Sequence, residues 1–316
     1  MPQINSPQTM SNDSNITHWQ AFWVEVLWYL CRGFALLPRV VRHYVVGYPI
    51  YLMMHYVIRY RRKVVMHNLR NAFPEKSDKE LRQICRDVTR NLTEQIISTI
   101  DKAGLGRKGL LKRINIIGID EVREQTSGRS MVFLTAHYGP WEMGTTISYG
   151  MPEYEIMAVY HPLKNRVVDE LMKRIRKHDG VAMVPMQQTM RYFISNHQKQ
   201  PLIVGLIADQ NPKTRAGQPW FRFMNQWTAF FDGAETIALK YHLPVYYFSP
   251  KRIKAGIYEA RMTLLYDGVE QVAENVITER YIRALEQDIM AHPGLWMWTH
   301  KRWKKKPPQE ILDQEI

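Results

Sequence analysis

Hydrophobic residues are concentrated in two stretches near the amino terminus. The first, residues 21–38, reads AFWVEVLWYLCRGFALLP, and its length is close to the roughly 20 apolar residues that cross a bilayer. Glu25 and Arg32 interrupt it seven residues apart, so they share one helical face that can turn toward protein or lipid headgroups. The pattern predicts either a single membrane-spanning helix or a helix at the membrane interface.

The second apolar stretch covers residues 44–57 and contains Gly47 and Pro49. It is too short to cross a bilayer by itself, so we expect it along a membrane or in the core. We therefore predict a membrane-anchoring helical region at 19–58, after a flexible polar tail at 1–18. Two buried core helices are the alternative interpretation of this region.

Beyond residue 58, short apolar runs alternate with helical periods, which is typical of an α/β sheet covered on both faces. Ser77 and Glu80 have the spacing of a capping box, which predicts a helix as far as Ile100. Strands are predicted at Met131–Thr135, Ile156–Tyr160, Ala182–Val184, Leu202–Ala208, Val245–Phe248 and Ala260–Leu265, and helices near 164–178, 188–199, 233–241 and 274–292. We predict one α/β domain at 59–316, with a mostly parallel or mixed sheet and a basic carboxy-terminal segment.

The charge balance adds a class of partner to this picture. Lys and Arg outnumber Asp and Glu by 43 to 30, a net charge of +13, which suits anionic lipid, nucleic acid or an acidic carrier protein. We find no nucleic-acid-binding module and expect no nucleic acid. The two cysteines, Cys31 and Cys85, have neither disulfide-framework nor metal-ligand spacing, so we expect a reducing compartment.

His137 follows the apolar run MVFLTA, at the strand end where open α/β sheets bind ligands. Glu142 lies five residues later, about 140° away on a continuous helix, so the two meet only if Gly139-Pro140 forms a turn. An imidazole of such a pair can take the proton of an attacking hydroxyl while the carboxylate holds its tautomer. A lone histidine after a strand is more often a capping or core residue.

Other catalytic motifs are missing from the sequence. It contains no G-x-S-x-G elbow, Walker loop, dinucleotide fingerprint or zinc helix, so we expect direct transfer without a covalent intermediate, a cofactor or a metal. Asp209-Gln210 follows the run LIVGLIA and has the same position relative to its strand as His137. This dipeptide lines a pocket or caps a turn.

Several motifs together resemble the lysophospholipid and lipid A late acyltransferases of Gram-negative bacteria, over nearly the whole chain. The family's H-x4-D/E motif matches HYGPWE at 137–142, directly after a strand. Further matches are RYRRKVVMHNLRNAFPEKS at 59–77, YHPLKN at 160–165 with Asp169 beyond it, Asp209-Gln210, and the closing segment LWMWTHKRWKKKPP. The resemblance implies a fold like that of the glycerolphosphate acyltransferases.

The resemblance also implies site residues. His137 and Glu142 would be catalytic, and the family commonly has an arginine where this chain has His161. Arg166, Arg174 or Arg176 could supply that missing charge. The implied substrate-binding residues are Tyr160, His161, Asn165, Arg166, Arg174, Arg176, Asp209 and Gln210.

The implied activity is transfer of an acyl group from acyl carrier protein, or from acyl-CoA, to a hydroxyl of a lipid A precursor at the cytoplasmic face of the inner membrane. An acidic carrier protein and a phosphorylated glycolipid are both polyanions, and the basic clusters at 59–63 and 301–306 would attract either. Trp296, Trp298 and Trp303, before and within the second cluster, indicate a surface facing the membrane. A lysophospholipid, aminolipid or other glycolipid acceptor is the alternative within the enzyme class. A non-enzymatic membrane-binding protein is the alternative outside it.

Overall fold

A computed structural model describes residues 16–213 and 217–313. A seven-stranded sheet with the strand order β1-β9-β8-β2-β5-β3-β4 forms its centre, and β6 and β7 form a separate hairpin. The strands of this described part are β1 (Ile114–Ile117), β2 (Met131–Thr135), β3 (Glu155–Tyr160), β4 (Val181–Pro185), β5 (Leu202–Ile207), β6 (Trp220–Phe223), β7 (Gln226–Ala229), β8 (Val245–Lys254) and β9 (Ile257–Tyr266). Strands β8, β2, β5, β3 and β4 are parallel, whereas β9 and β1 run in the opposite direction.

Helices connect the strands and cover the sheet. The α-helices are α1 (His18–Leu36), α2 (Gly47–Leu52), α3 (Arg62–Ala72), α4 (Asp78–Asp101), α5 (Gly106–Leu111), α6 (Ile119–Thr126), α7 (Ile147–Gly150), α8 (Arg166–Arg176), α9 (Thr189–Asn196), α10 (Gly233–Tyr241), α11 (Val276–Ala291) and α12 (Gln309–Leu312). Segments Val41–Val46 and Met53–Val57 form wider π turns, and Trp141–Thr146, Met186–Gln188 and Pro293–Leu295 form 3-10 turns.

Strand β2 shows why the sheet is covered on both faces. Successive side chains of a strand point to opposite faces. Val132 and Leu134 accordingly pack into one apolar cluster, whereas Met131 and Phe133 pack into the other. The predicted α/β class is confirmed, and so is the capping box of Ser77 at the start of α4.

The strands that the hydrophobic pattern missed are short. Strand β1 has only four residues, and β6 and β7 have four each. Met224 and Asn225 make the turn between β6 and β7 with positive φ angles of 48° and 63°, a conformation that glycine usually supplies. Without a glycine at this turn, the sequence does not show the usual hairpin signal.

The amino-terminal region packs on the α/β domain through α1 and the segment from Val41 to Val57. Gly104 lies against Ala35 of α1, and Gly47 lies against Ile97 of α4. No helix in the described ranges is both long and apolar enough to cross a membrane. Residues 1–15 of the predicted tail lie outside the described residues. Thr17 forms a capping box with Gln20 at the start of α1.

The closing tryptophans do not face outward. Trp296 is 3% exposed and Trp298 is fully buried, and Trp303 donates a hydrogen bond to the Thr228 hydroxyl at 2.8 Å. The prediction that these rings form a surface facing the membrane is wrong, because they pack on one another and on Phe223 in the core. They instead fix the carboxy-terminal segment beside the end of β2.

Candidate active site

His137 lies just beyond β2, at the carboxyl end of the parallel strands, with 19% of its side chain exposed. The chain then turns at Gly139, whose φ is +50°. A Cβ atom at Gly139 would lie 2.7 Å from the carbonyl oxygen of Pro250, so only glycine fits here. The 3-10 turn that contains Glu142 begins at Trp141. The predicted turn between His137 and Glu142 is therefore confirmed.

The carboxylate bonded to His137 is that of Asp209. Its Oδ1 lies 2.7 Å from Nδ1 of His137, and its Oδ2 accepts a hydrogen bond from the backbone N–H of His137 at 3.0 Å. Trp296 donates its indole N–H to the same Oδ2 at 2.8 Å. Strands β2 and β5 are neighbours in the sheet, so residues that follow their carboxyl ends lie side by side.

These contacts keep Asp209 ionised and select one tautomer of the neutral His137 ring. Burial by itself would raise the pKa of Asp209, but His137 and the hydrogen bonds from His137 and Trp296 outweigh it and hold the pKa below its usual value. An ionised Asp209 accepts a hydrogen bond from the Nδ1–H of His137, which leaves the lone pair of the neutral ring on Nε2. The Gln210 amide nitrogen lies 3.1 Å from that Nε2. The neutral ring thus carries its lone pair on the nitrogen that faces Gln210.

Glu142 has a different partner from the one predicted. The guanidinium of Arg176 donates two hydrogen bonds to its carboxylate, one of them at 2.9 Å. Among the described residues no hydrogen bond joins Glu142 to His137. Burial raises the pKa of Glu142, but Arg176 and Lys102 outweigh this effect and lower it. The predicted role of Glu142 in holding the histidine tautomer is wrong, because Asp209 occupies that position.

Gln95 of helix α4 and Lys102 directly after it form hydrogen bonds to the turn that contains Glu142. Gln95 donates to the carbonyl oxygen of Gly139, and Lys102 donates at 2.7 Å to the carbonyl oxygen of Glu142 and to the Thr145 hydroxyl. Burial lowers the pKa of Lys102 to about 8. Our reading of the sequence missed these residues. The sequence did contain an indication of their role, because Gln95 and Lys102 are polar residues seven apart on a buried helical face.

The other predicted residues occupy the β3–α8 connection. Tyr160 ends β3, and the exposed ring of His161 contacts only the neighbouring Pro162 carbonyl among its described hydrogen bonds. Asn165 caps α8, and Arg166 is the first residue of that helix. Arg174 pairs with Glu25 of α1. Of the three arginines that could supply the missing charge at His161, Arg176 therefore pairs with Glu142 and Arg174 pairs with the amino-terminal helix α1.

No group of three or more His, Cys, Asp and Glu side chains within residues 16–213 and 217–313 could hold a metal ion. The side chains that converge on this site are an imidazole, two carboxylates, a guanidinium and an amide. Such a set can move a proton and bind an anion.

Comparison with known proteins shows the family of the chain. The model of the family described as bacterial lipid A biosynthesis acyltransferase matches residues 10–305. The chain belongs to this family. It is therefore an acyltransferase, and the region that matches includes the strand end of His137, the β3–α8 connection and the closing tryptophans.

Its relatives are distant but cover most of its length. A lipid A biosynthesis acyltransferase of Haemophilus influenzae is 23% identical over 92% of this chain and 92% of its own. The lauroyltransferase of lipid A biosynthesis from Escherichia coli is 23% identical over 78% of this chain and 80% of its own. The palmitoleoyltransferase of the same organism is 22% identical over 80% of this chain and 82% of its own. This acyltransferase thus resembles enzymes named for different acyl chains to a similar degree.

Proposed function

We propose that this acyltransferase moves a fatty acyl chain from acyl carrier protein to a hydroxyl of a lipid A precursor, with His137 as the general base. The observation that supports this most directly is the 2.7 Å contact between Nδ1 of His137 and the buried carboxylate of Asp209. With Nδ1 bonded to Asp209, the neutral tautomer of the ring keeps its lone pair on Nε2. A general base needs such a lone pair within reach of the hydroxyl.

In the proposed reaction, Nε2 of His137 takes the proton as the acceptor oxygen attacks the thioester carbonyl. The tetrahedral intermediate collapses, the ester C–O bond remains, and the C–S bond breaks. The imidazolium returns its proton to the leaving thiolate, so no covalent enzyme intermediate forms. Asp209 stabilises the imidazolium, as the carboxylate of a triad does. The Gln210 amide, at 3.1 Å from Nε2, marks the position that the acceptor hydroxyl would take.

Glu142 and Arg176 have a separate role in this proposal. The Glu142 carboxylate is 8% exposed, whereas the Arg176 side chain is 24% exposed, so the guanidinium reaches the surface and the carboxylate holds it in place. We propose that Arg176 replaces the family arginine that is absent at His161 and contacts an anionic group of the acceptor. A rigid guanidinium binds phosphate oxygens in pairs. Tyr160, Asn165 and Arg166 complete this side of the proposed acceptor site.

A basic surface beside the site supports the proposed donor. Arg61 donates a hydrogen bond to the carbonyl oxygen of Thr299 at 3.0 Å, which brings the clusters at 59–63 and 301–306 together. The second cluster is packed on the domain, since the buried Arg302 donates a hydrogen bond to the side chain of Asn211 at 2.7 Å. Lys301, Lys304 and Lys306 remain exposed. An acidic carrier protein is attracted to such a surface.

Helix α1 supports association with a membrane. Its exposed face follows a helical period and is mostly apolar, and its exposed polar residues are His18, Glu25 and Arg32. We call this face the α1 apolar face; its large exposed side chains are Trp19, Phe22, Trp23, Tyr29, Leu30 and Leu36. A face of this size in water is a binding surface, and aromatic residues favour the level of the headgroups. We propose that α1 lies in the interface at the cytoplasmic face of the inner membrane.

The test uses purified full-length protein with acyl carrier protein thioester and a lipid A precursor in detergent micelles, and mass spectrometry of the product. We expect one added acyl chain with the wild type and loss of transfer with His137→Ala. Lysophospholipid, aminolipid and other glycolipid acceptors are assayed in parallel. Preferred transfer to one of them would overturn the proposed acceptor, and undiminished transfer by His137→Ala would overturn the proposed base.

A further inference from the structure

The hairpin of β8 and β9 projects past the carboxyl end of the neighbouring strand, on the side of the sheet that holds His137. Strand β8 pairs with β2 only as far as Leu134 and Tyr247 and then continues to Lys254. Pro250 lies beside Gly139 of the active-site turn. The residues after Pro250 therefore extend beyond the active-site edge of the sheet. We call residues 251–257 the hairpin tip.

The hairpin tip combines positive charge with an exposed apolar side chain. It reads KRIKAGI, with Lys251, Arg252 and Lys254 around Ile253. The pairing register shifts between Arg252 and Lys254, so Ile253 sits at a bulge, and it is 54% exposed. A bulge re-aims a side chain. The only acid opposite the tip in the described pairing is Glu259, across from Lys251.

Hydrogen bonds hold the tip against the amino-terminal region and helix α4. Arg39, which follows the end of α1, donates a hydrogen bond to the carbonyl oxygen of Ala255. Glu94 of α4 accepts hydrogen bonds from the Gly256 N–H at 2.6 Å and from the Tyr258 hydroxyl at 2.7 Å. Its other oxygen lies 3.0 Å from the ring of His43, which is packed against Gly256. Arg39 thus connects the tip to the apolar end of α1.

The α1 apolar face continues to this junction. Leu36 is 78% exposed, Leu37 is 40% exposed and Val40 is 56% exposed, and all three lie within three residues of Arg39 in the chain. Apolar side chains and cations therefore meet at one place on the active-site side of the molecule. An apolar side chain can enter the acyl boundary of a membrane while neighbouring lysines stay among anionic headgroups.

We infer that the hairpin tip is a second membrane contact, in which Ile253 inserts at the interface and Lys251 and Lys254 bind anionic lipid headgroups. This inference rests on the membrane association proposed for α1. The partner to which it commits is the anionic bilayer surface, rather than the phosphates of the acceptor. Two contacts, at α1 and at the tip, would set the orientation of the active-site edge toward the membrane.

The test is flotation of the full-length protein with vesicles of phosphatidylcholine, alone or mixed with phosphatidylglycerol. Each lysine near an anionic surface strengthens binding about fivefold, so we expect Lys251→Gln with Lys254→Gln to weaken binding to the anionic vesicles about tenfold or more. Binding to pure phosphatidylcholine should not change. The control is Lys199→Gln with Lys240→Gln, two exposed lysines before β5 and β8, at the opposite edge of the sheet.

A second measurement does not depend on removing charge. In a chain with Cys31→Ser, an environment-sensitive fluorophore is attached at Ile253→Cys or at Val269→Cys. Val269 is 68% exposed and follows β9 at the opposite edge of the sheet. We expect anionic vesicles to shift the emission of the label at 253 to the blue and to leave the label at 269 unchanged.

The inference is overturned if the lysine variant floats like the wild type, or if the label at 253 stays in water while the protein is bound to vesicles. Acyl transfer in detergent micelles is measured for the same proteins. A wild type that floats but transfers nothing in micelles would count against the proposed function alone. A hairpin variant that transfers normally in micelles but floats poorly would support the membrane contact.

Discussion

The replacement Asp209→Asn tests the pair at the centre of the site, because it keeps the shape of the side chain and removes the charge. Oδ2 of Asp209 accepts two hydrogen bonds, from the His137 backbone at 3.0 Å and from Trp296 at 2.8 Å. The amide oxygen of the asparagine would take this position, since an amide nitrogen there would face two donors. The amide nitrogen would then face Nδ1 of His137.

The consequence is a change of tautomer. An amide nitrogen donates to Nδ1, so the ring proton moves to Nε2, where the acceptor hydroxyl must lose its own proton. In catalytic triads the same exchange costs about 10,000-fold in turnover. We expect a loss on the order of 1,000- to 10,000-fold in kcat for Asp209→Asn, with little change in folding, because three hydrogen-bonding positions stay filled.

The assay is single-turnover transfer from acyl carrier protein thioester to the lipid acceptor, with circular dichroism to confirm folding. The matched control is Glu235→Gln, a buried carboxylate that accepts hydrogen bonds from Thr278 away from the site. Glu142→Gln should behave differently, since it weakens the hold on Arg176 and should raise the KM for the acceptor more than it lowers kcat. Our reasoning is refuted if Asp209→Asn keeps turnover within tenfold of the wild type.

Three further predictions concern stability, donor binding and the membrane. Burial lowers the pKa of Lys102 to about 8, so between about pH 8 and 10.5 the unfolded chain binds one more proton at this residue than the folded protein does. Over this range the unfolding free energy of the wild type should rise by on the order of 3 kcal/mol relative to that of Lys102→Met, as measured by urea unfolding. A difference between the two proteins that does not depend on pH would contradict this. Replacing Lys301, Lys304 and Lys306 by Gln should raise the KM for the carrier-protein donor and reduce its salt dependence, with kcat nearly unchanged, whereas a KM insensitive to salt in the wild type would argue against the docking surface. Phe22→Gln with Trp23→Gln should lower the membrane-bound fraction about tenfold or more by removing apolar contact area. The control Met290→Gln should sediment with membranes like the wild type. If the double variant also sedimented like the wild type, this would count against the α1 apolar face as the membrane contact.

The amino-acid sequence by itself was sufficient to predict the structural features that depend on residues close together in the chain. The capping box of Ser77, the apolar run of β2 and the turn at Gly139 are local, because each results from side chains a few positions apart. The exposed face of α1 follows from helical spacing in the same way. The family itself was evident from motifs at 59–77, 137–142 and 160–165, which are contiguous in the chain.

Only the tertiary structure decided the partner of His137. Glu142 is five residues away in sequence and Asp209 is 72, yet Asp209 makes the hydrogen bond, because β2 pairs with β5 in the sheet. Strand order results from packing and crossover connections over the whole domain, and no local pattern encodes it. Tertiary packing also decided the position of the closing tryptophans. Trp296 and Trp298 are of a residue type that is common at membrane interfaces, but they fill the core beside Phe73 and Phe223. Burial of a side chain depends on what long-range packing places against it, and that information is not contained in any single segment.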